Sequence, residues 1–358
     1  WGRRHAAGVQ RIVLLRPDRV GDVVLSIPAF QAVRQAFPSA MVTAVVTPWT
    51  APILRDHPAV DRVLTVAGDG LWELWRSRAT IRGLRASRGD LVIAFEASWA
   101  CGLLAFLIGA PHRLGWDFRG AGGFFTQRVP FRGATAKIHE VEANLELVRA
   151  LGIPAPWQLP TLHVSPAARE WLSQWWQQQG WPTSGVWVLI HPGSRSAYTR
   201  WAPERFAAIA DRLTDLPEAH VLLLAGQGET RLIQRVQSSM RHPSTIVQDL
   251  TLEQMAALLE RLHLFIGNAT GTTHLAAYLG PRVIEIIGGT HPLDCPQRWG
   301  VIGERHRIVH KRPEDVIGRP TDTWVGPEGL AHISVEEVWR AIQDVWPQCL
   351  QQAGGTPS

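Results

Sequence analysis

A β-branched and leucine run, a polar turn and a helical pattern open this chain, and that order repeats until a proline cluster interrupts it, after which it begins again. Residues 10–15 make the first run, Arg16-Pro17-Asp18-Arg19 the turn, and a helical pattern continues through Phe37. Further strand patterns lie at 41–46, 62–66 and 90–95, with helical stretches such as 71–86 between them. Parallel neighbours need a crossover connection, so strands separated by helices predict a parallel sheet.

After a helical stretch at 140–151, the segment Gly152-Ile153-Pro154-Ala155-Pro156, with Pro160 close behind, marks a linker. A helix over 166–179 follows, and the alternation restarts with a strand at 186–190. Later strands are expected at 220–224, 245–247, 262–266 and 282–286, and helices near 203–213, 229–240 and 252–261. Ser334 caps a closing helix through Trp346, with Glu336 and Glu337 in its first turn. A single eightfold β/α barrel would not need a linker midway or a second strand-turn start. The pattern therefore predicts an α/β chain of two Rossmann-like, doubly wound domains, residues 1–160 and 161–333, then a closing helix at 334–350 and a disordered tail at 351–358. A length of 358 residues suits two cores.

Composition narrows the class. With 46% hydrophobic and 19% charged residues the chain has ample surface to bury. Its longest apolar stretch, residues 99–110, falls short of the ~20 needed to span a bilayer, and no apolar signal core precedes Arg11. Cys101, Cys295 and Cys349 lie far apart, which argues against a zinc site or disulfide framework and fits a reducing cytoplasm. The net charge, 36 − 31 = +5, is carried almost wholly by arginine, since the only lysines are Lys137 and Lys311. Arginine suits phosphate and carboxylate partners, although a solvated basic surface explains the same excess. No basic run is interleaved with aromatics, so nucleic acid is not an expected partner. Trp171, Trp175 and Trp176, at helical spacing, read as packing residues.

In open parallel sheets ligands sit at the carboxyl ends of strands, and three strand-to-helix turns stand out there. In Gly267-Asn268-Ala269-Thr270-Gly271-Thr272-Thr273-His274, glycines admit a ligand close to the backbone, hydroxyls offer hydrogen bonds, and the following helix N-terminus favours an anion. The alternative is a tight turn with His274 as an ordinary helix residue. In His191-Pro192-Gly193-Ser194-Arg195-Ser196-Ala197-Tyr198-Thr199-Arg200-Trp201, small hydroxylic residues beside two arginines suit phosphate; the same stretch also reads as an exposed loop anchored by Trp201, with Pro203 opening the next helix. In Arg16-Pro17-Asp18-Arg19-Val20-Gly21-Asp22, an aspartate at a helix start is expected to be ionised. As a plain helix-end residue Asp22 needs no function; Pro28, however, implies that this first turn is separate or kinked, a shaped loop in which the carboxylate could serve as general base.

A rival motif, Gly226-Gln227-Gly228-Glu229-Thr230-Arg231, is like a dinucleotide fingerprint without its third glycine and would suit a nicotinamide-dependent oxidoreductase. No phosphate-loop lysine, nucleophile elbow, His-Glu-x-x-His pair or Asp-x-Asp pair is present, so no metal or cofactor is expected.

Taken in order, the blocks resemble glycosyltransferase family nine, the lipopolysaccharide heptosyltransferases. Arg11-Ile12-Val13-Leu14-Leu15-Arg16 through Gly21-Asp22, Pro28-Ala29 and Phe37-Pro38-Ser39-Ala40 look like the family's opening. His191-Pro192-Gly193-Ser194 with Arg200-Trp201 and Pro203-Glu204-Arg205-Phe206 look like the start of its second domain. Gly267-Asn268, Gly271 and His274-Leu275-Ala276-Ala277, then Gly280, Gly288 and Thr290, look like its donor-phosphate loop.

The resemblance implies a GT-B architecture, two Rossmann-like domains facing a cleft, with the closing helix packed back on the first. It implies an inverting, metal-independent glycosyltransferase that takes a heptose-like sugar from an ADP-heptose type of nucleotide diphosphate donor, the co-substrate, to an anionic glycan or lipopolysaccharide-core acceptor. Asp22 would be the base, with Arg16, Arg19 and Gly21 on the acceptor-side loop. Donor contacts would come from Ser194, Arg195, Thr199, Arg200, Glu229, Asn268, Thr270, Gly271, Thr272, Thr273 and His274. A cytoplasmic location, peripheral at the inner face of the cytoplasmic membrane, goes with such an acceptor. Two positions depart from the family pattern: Ala269 stands where an acidic residue is usual, and Thr199 where lysine is usual. They motivate a second reading, a catalytically weakened sugar-nucleotide binding protein.

Overall fold

The computed structural model describes residues 8–67, 76–86, 89–132, 138–289, 295–311 and 327–354. Two compact units divide the chain, Trp1–His163 and Val164–Ser358.

In the first unit the order is β1 (Arg11–Leu15), α1 (Val20–Ala36), β2 (Met41–Val46), β3 (Arg62–Thr65), α2 (Arg78–Ala86), β4 (Leu91–Ala94), α3 (Trp99–Ile108), β5 (His112–Asp117), β6 (Gln127–Pro130) and α4 (Glu140–Arg149). Its six strands are all parallel, in the order β3-β2-β1-β4-β5-β6. The second unit runs α5 (Pro166–Gln178), β7 (Val186–His191), α6 (Pro203–Thr214), β8 (Ala219–Ala225), α7 (Thr230–Ser238), β9 (Thr245–Gln248), α8 (Leu252–Arg261), β10 (Leu264–Asn268), α9 (Gly271–Leu279), β11 (Arg282–Ile286), α10 (Pro296–Trp299), β12 (Arg307–Val309) and α11 (Val335–Gly354). Its parallel order is β12-β11-β10-β7-β8-β9. Counted from the first strand of each unit, both sheets follow the doubly wound 3-2-1-4-5-6 order, so each has one switch point: between β1 and β4, and between β7 and β10. Central strands such as Leu91–Ala94 and Val186–His191 are buried along their whole length, as parallel strands covered on both faces must be.

Four expectations change. Asp22 and Gly21 do not lie in a loop: α1 is one helix from Val20 to Ala36 with Pro28 inside it. Burial of most of that helix, and its packing on α4, outweigh the lost backbone bond. Gly267 and Asn268 are the last residues of β10 rather than part of a turn. A Cβ on Gly267 would meet the His191 carbonyl oxygen at 3.0 Å, so strand-to-strand approach, and no left-handed turn, is what demands glycine there. The closing helix, expected to pack back on the first domain, joins the core of the second unit: Val338, Ile342, Val345 and Cys349 of α11 pack with Trp201, Phe206 and Ile286. Trp201 Nε1 and Arg205 Nη1 both donate to the Ile333 carbonyl, at 2.9 and 2.6 Å, and fix the entry to that helix. Residues 351–354, expected to be disordered, continue α11, while 355–358, Thr290 and part of the helix expected at 71–86 lie outside the described residues.

Candidate active site

In the first unit, chemistry collects at the β1/β4 switch point. Register places Leu15 opposite Ala94, so Arg16 leaves the sheet beside Phe95. Its guanidinium is buried and donates from Nη1 to the Phe95 carbonyl at 2.7 Å, spanning the switch point. From Nη2 it donates to Asp22 Oδ1 at 3.1 Å and to Glu140 Oε1 at 2.9 Å. Asp22 stands at the third position of α1, and Glu140 at the first position of α4, whose Asn144 Nδ2 donates to the Leu25 carbonyl of α1 at 3.2 Å.

One cation thus serves two carboxylates. An aspartate in a first helical turn is ordinarily held ionised by the helix dipole. Here burial pushes Asp22 up to about 7, against the pull of Arg16; the Asp18 and Glu140 carboxylates push the same way, and Arg19 opposes them. About the same site, Arg16 is held protonated by those acids in spite of its own burial. With 15% of its side chain exposed, Asp22 remains within reach of a ligand hydroxyl. A carboxylate near neutrality at a strand's carboxyl end is suited to accept a proton. Arg19, expected beside it, is exposed at the N-cap of α1 and makes no capping bond, and Gly21 is buried in that helix. Glu140 was not among the expected residues; its only signal in sequence is an acid opening a helix, and the partner lies 124 positions away.

In the second unit the β7/β10 switch point is bridged by Asn268, which is fully buried. Its Nδ2 donates to the Pro192 and Gly193 carbonyls at 2.8 and 3.2 Å, and its Oδ1 accepts from the Trp201 backbone N–H at 2.9 Å. Thr270 caps α9 by accepting from the Thr273 N–H, and the Thr273 hydroxyl donates to the Asn268 carbonyl. Thr273 and His274 are buried. Of the expected donor-loop residues, Asn268, Thr273 and His274 therefore shape the loop from within, whereas Gly271 and Thr272 are half-buried at its surface. The first N–H groups of a helix have no intrahelical acceptor, so the amides of Gly271 and Thr272 present an anion-binding end.

Beside that end, Arg200 Nε donates to the Ser194 carbonyl at 2.9 Å, and the Ser194 and Thr199 hydroxyls bond to each other. Arg195 is exposed. Glu229 Oε2 meets His191 Nε2 at 3.1 Å and accepts the Gly226 N–H at 2.9 Å. Burial raises the Glu229 pKa, but the His191 and Gly226 contacts and the nearby Arg200 outweigh it and hold the carboxyl below its ordinary value. The amide of Gly226, which a dinucleotide fingerprint would offer to a pyrophosphate, is thus engaged by the protein's own carboxylate. That turn also follows β8, away from the switch point. His191 went unanticipated as a partner because the sequence shows only a histidine at a strand end.

Among the described residues no group of three or more His, Cys, Asp or Glu side chains is placed to hold a metal, and no helix is long and apolar enough to cross a membrane.

The family model for glycosyltransferase family 9 (heptosyltransferase) matches residues 77–316. Lipopolysaccharide heptosyltransferase 3 of Escherichia coli is 23% identical over 285 residues, covering 75% of this chain and 81% of its own. A glycosyl transferase family 9 structure from Veillonella parvula superposes with a TM-score of 0.82 at 21% identity, over 95% of this chain and 97% of the other. The E. coli ADP-heptose lipopolysaccharide heptosyltransferase II does so with a TM-score of 0.77 at 19% identity, over 95% and 99%.

Proposed function

The chain belongs to glycosyltransferase family 9, the heptosyltransferase family, and from that premise we propose that it transfers a heptose-like sugar, with inversion and without a metal, from an ADP-heptose type of donor to a glycan or lipopolysaccharide-core hydroxyl. The observation that carries this reading is Asp22, a carboxyl near neutrality held by Arg16 at the β1/β4 switch point. The hydroxyl proton passes to a carboxylate oxygen of Asp22 while the hydroxyl oxygen attacks the anomeric carbon. The bond from that carbon to the diphosphate oxygen breaks on the opposite face, which inverts the centre.

Negative charge then grows on the departing diphosphate. The Gly271 and Thr272 amides, the Thr272 hydroxyl, Arg195 and Arg200 are the groups proposed to meet it; donors already in position where charge develops lower the barrier most. Ser194 and Thr199 hold the Arg200 loop, and Glu229, on its His191 and Gly226 supports, is proposed to receive a ribose hydroxyl. Arg195 and Arg200 supply the positive charge that lysine in place of Thr199 would bring. The donor identity is supported by likeness to the E. coli ADP-heptose lipopolysaccharide heptosyltransferase II.

The test is ADP release from ADP-heptose in the presence of a heptose-deficient lipopolysaccharide core, with the anomeric configuration of the product read by NMR. Asp22→Asn should lower kcat by roughly 100-fold or more, the usual scale for a lost general base. Absence of ADP release by the wild type, or an Asp22→Asn variant as fast as wild type, would sink the proposal. Donor binding without turnover would instead favour a sugar-nucleotide binding protein, the role that Ala269 and Thr199 suggest.

A further inference from the structure

The amino ends of the first sheet leave an opening that the proposed reaction does not use. β1, β2 and β3 begin at Arg11, Met41 and Arg62, and in a parallel sheet these starts lie together, at the edge opposite the carboxyl end from which Arg16 reaches Asp22. Register sets Arg11 beside Met41, Val13 beside Thr43 and Thr43 beside Arg62. Side chains two apart share a face of a strand. Arg11 and Val13, Met41 and Thr43, and Arg62 and Leu64 therefore all point to the side that α2 covers, where Val13 packs with Ile81 and Leu84. The cover is incomplete. α2 turns Ala79, Thr80 and Gly83 toward this end of the sheet, and a Cβ on Gly83 would meet nothing within 4 Å. A cavity of about 350 Å³ is left between helix and strands.

Val13, Leu64 and Leu84 give this cavity an apolar floor, Thr43 and Thr80 bring hydroxyls, Arg11 and Arg62 stand at the rim, and no acid lines it. Both arginines are exposed, and their side chains have no hydrogen-bond or ion-pair partner among the described residues. Two acids that border them are engaged elsewhere: Asp90 Oδ2 accepts the Gln10 and Arg11 backbone N–H at 2.9 and 2.8 Å, and Asp61 holds Arg34 and the Val42 N–H. We infer that the cavity is a binding site for a small organic anion, a carboxylate with an apolar body that lies on the floor while its charge meets Arg11 and Arg62. An apolar lining with a few convergent polar groups, at this volume, is the make-up of a ligand site. Guanidinium groups rooted two strands apart, on the order of 10 Å, can close on one carboxylate. Inorganic phosphate would use the arginines and leave the apolar floor wet, and a neutral apolar molecule would leave both guanidinium groups unpaired. A metal ion would find no carboxylate. The site is separate from the reacting end: Arg11 stands at the other end of β1 from Arg16, about 17 Å along the strand.

The experiment titrates the full chain calorimetrically with octanoate, with acetate and 1-octanol as the charge and the tail alone, and repeats the octanoate titration with ADP present. It involves no turnover, so its outcome is separate from that of the transfer assay. One saturable octanoate site is expected, unchanged by ADP, weakening as salt rises, and about tenfold or more tighter than either fragment. Arg11→Gln with Arg62→Gln should weaken it about tenfold or more, since two charge-assisted pairs are lost, whereas the same change at Arg231 and Arg235, on the other unit, should not. Gly83→Phe should fill the cavity and abolish binding. Its position is exposed on a helix and phenylalanine is a better helix former than glycine, so the thermal midpoint should hold or rise. Should that variant fail to fold, the two exposed arginines decide alone. Four results would overturn the inference: no saturable octanoate binding, 1-octanol binding as tightly, octanoate held equally well by the arginine double variant or by a folded Gly83→Phe, or displacement of octanoate by ADP.

Discussion

The side-chain oxygen of Asn268 accepts the Trp201 backbone N–H at 2.9 Å, while its nitrogen donates to the two carbonyls that precede the arginine loop. A side-chain amide offers two donor hydrogens and a separate acceptor oxygen at one position. Asn268→Ala leaves a buried N–H and at least one buried carbonyl unpaired, at a cost of about 3 kcal/mol. Urea unfolding should show that loss together with weakened ADP binding, and an unchanged midpoint would refute the bridging role.

As the proposed base, Asp22 would have to be unprotonated to take a proton, so kcat/KM should rise with pH along a limb centred near 7. Glu140→Gln keeps an oxygen for Arg16 but removes a negative charge facing Asp22, leaving Arg16, Arg19 and Asp18 as the charged neighbours. The carboxylate form of Asp22 is then favoured and the limb moves to lower pH. Arg16→Gln should move it the other way. A pH profile that Glu140→Gln leaves in place would remove Glu140 from the control of the base.

Gly193 is close-packed against Glu229, and a Cβ there would collide with both oxygens of that carboxylate. What must yield is a side-chain end, so Gly193→Ala should fold yet release Glu229 from His191 and Gly226. We expect nucleotide affinity, measured by calorimetry with ADP, to fall about tenfold, equal to ~1.4 kcal/mol. Glu229→Ala should fall by a similar factor, and the double variant by no more than either, since both act through one group.

Glu285, the fourth residue of β11, is fully buried with the Val301 N–H on one oxygen and no partner among the described residues on the other. Burial pushes it up to about 8 from the ordinary 4.5, the Val301 bond opposing. Between those values the unfolded chain has released a proton that the folded chain keeps, so stability falls as pH rises through that window. The loss should be on the order of a few kcal/mol, and Glu285→Gln should flatten it. Unfolding curves that slope equally for both proteins would show that Glu285 does not carry the dependence.

Much of the fold is legible in the sequence. The strand at 41–46 and the helix at 252–261 are found where their periodicity puts them, because both are continuous and well bounded. β5 and β6 were not foreseen: His112–Asp117 mixes charge with aromatics, and Gln127–Pro130 is an edge strand without an apolar run. Pro28 reads as a break only if the helix is considered alone; burial decides otherwise. The amphipathic pattern of α11 announces a buried face but not which sheet covers it. At the site, the turns were visible and their internal wiring was not. Nothing in the sequence says that Asn268 and Thr273 face inward while Thr272 faces out, since neighbouring polar residues at a strand-helix junction differ by orientation alone.

Both sheets are stitched across their switch points by a side chain reaching a backbone carbonyl, Arg16 to Phe95 in one and Asn268 to Pro192 in the other. The stitches differ in charge. A neutral amide does not respond to proton concentration, so the Asn268 stitch itself is unchanged by acidification. The guanidinium stitch is permanent as well, but it shares its cation with two acids, one of them near its midpoint at neutral pH. At the β1/β4 switch point a drop in pH therefore reaches the group proposed to accept the proton, whereas the Asn268 stitch of the other sheet has no proton to gain.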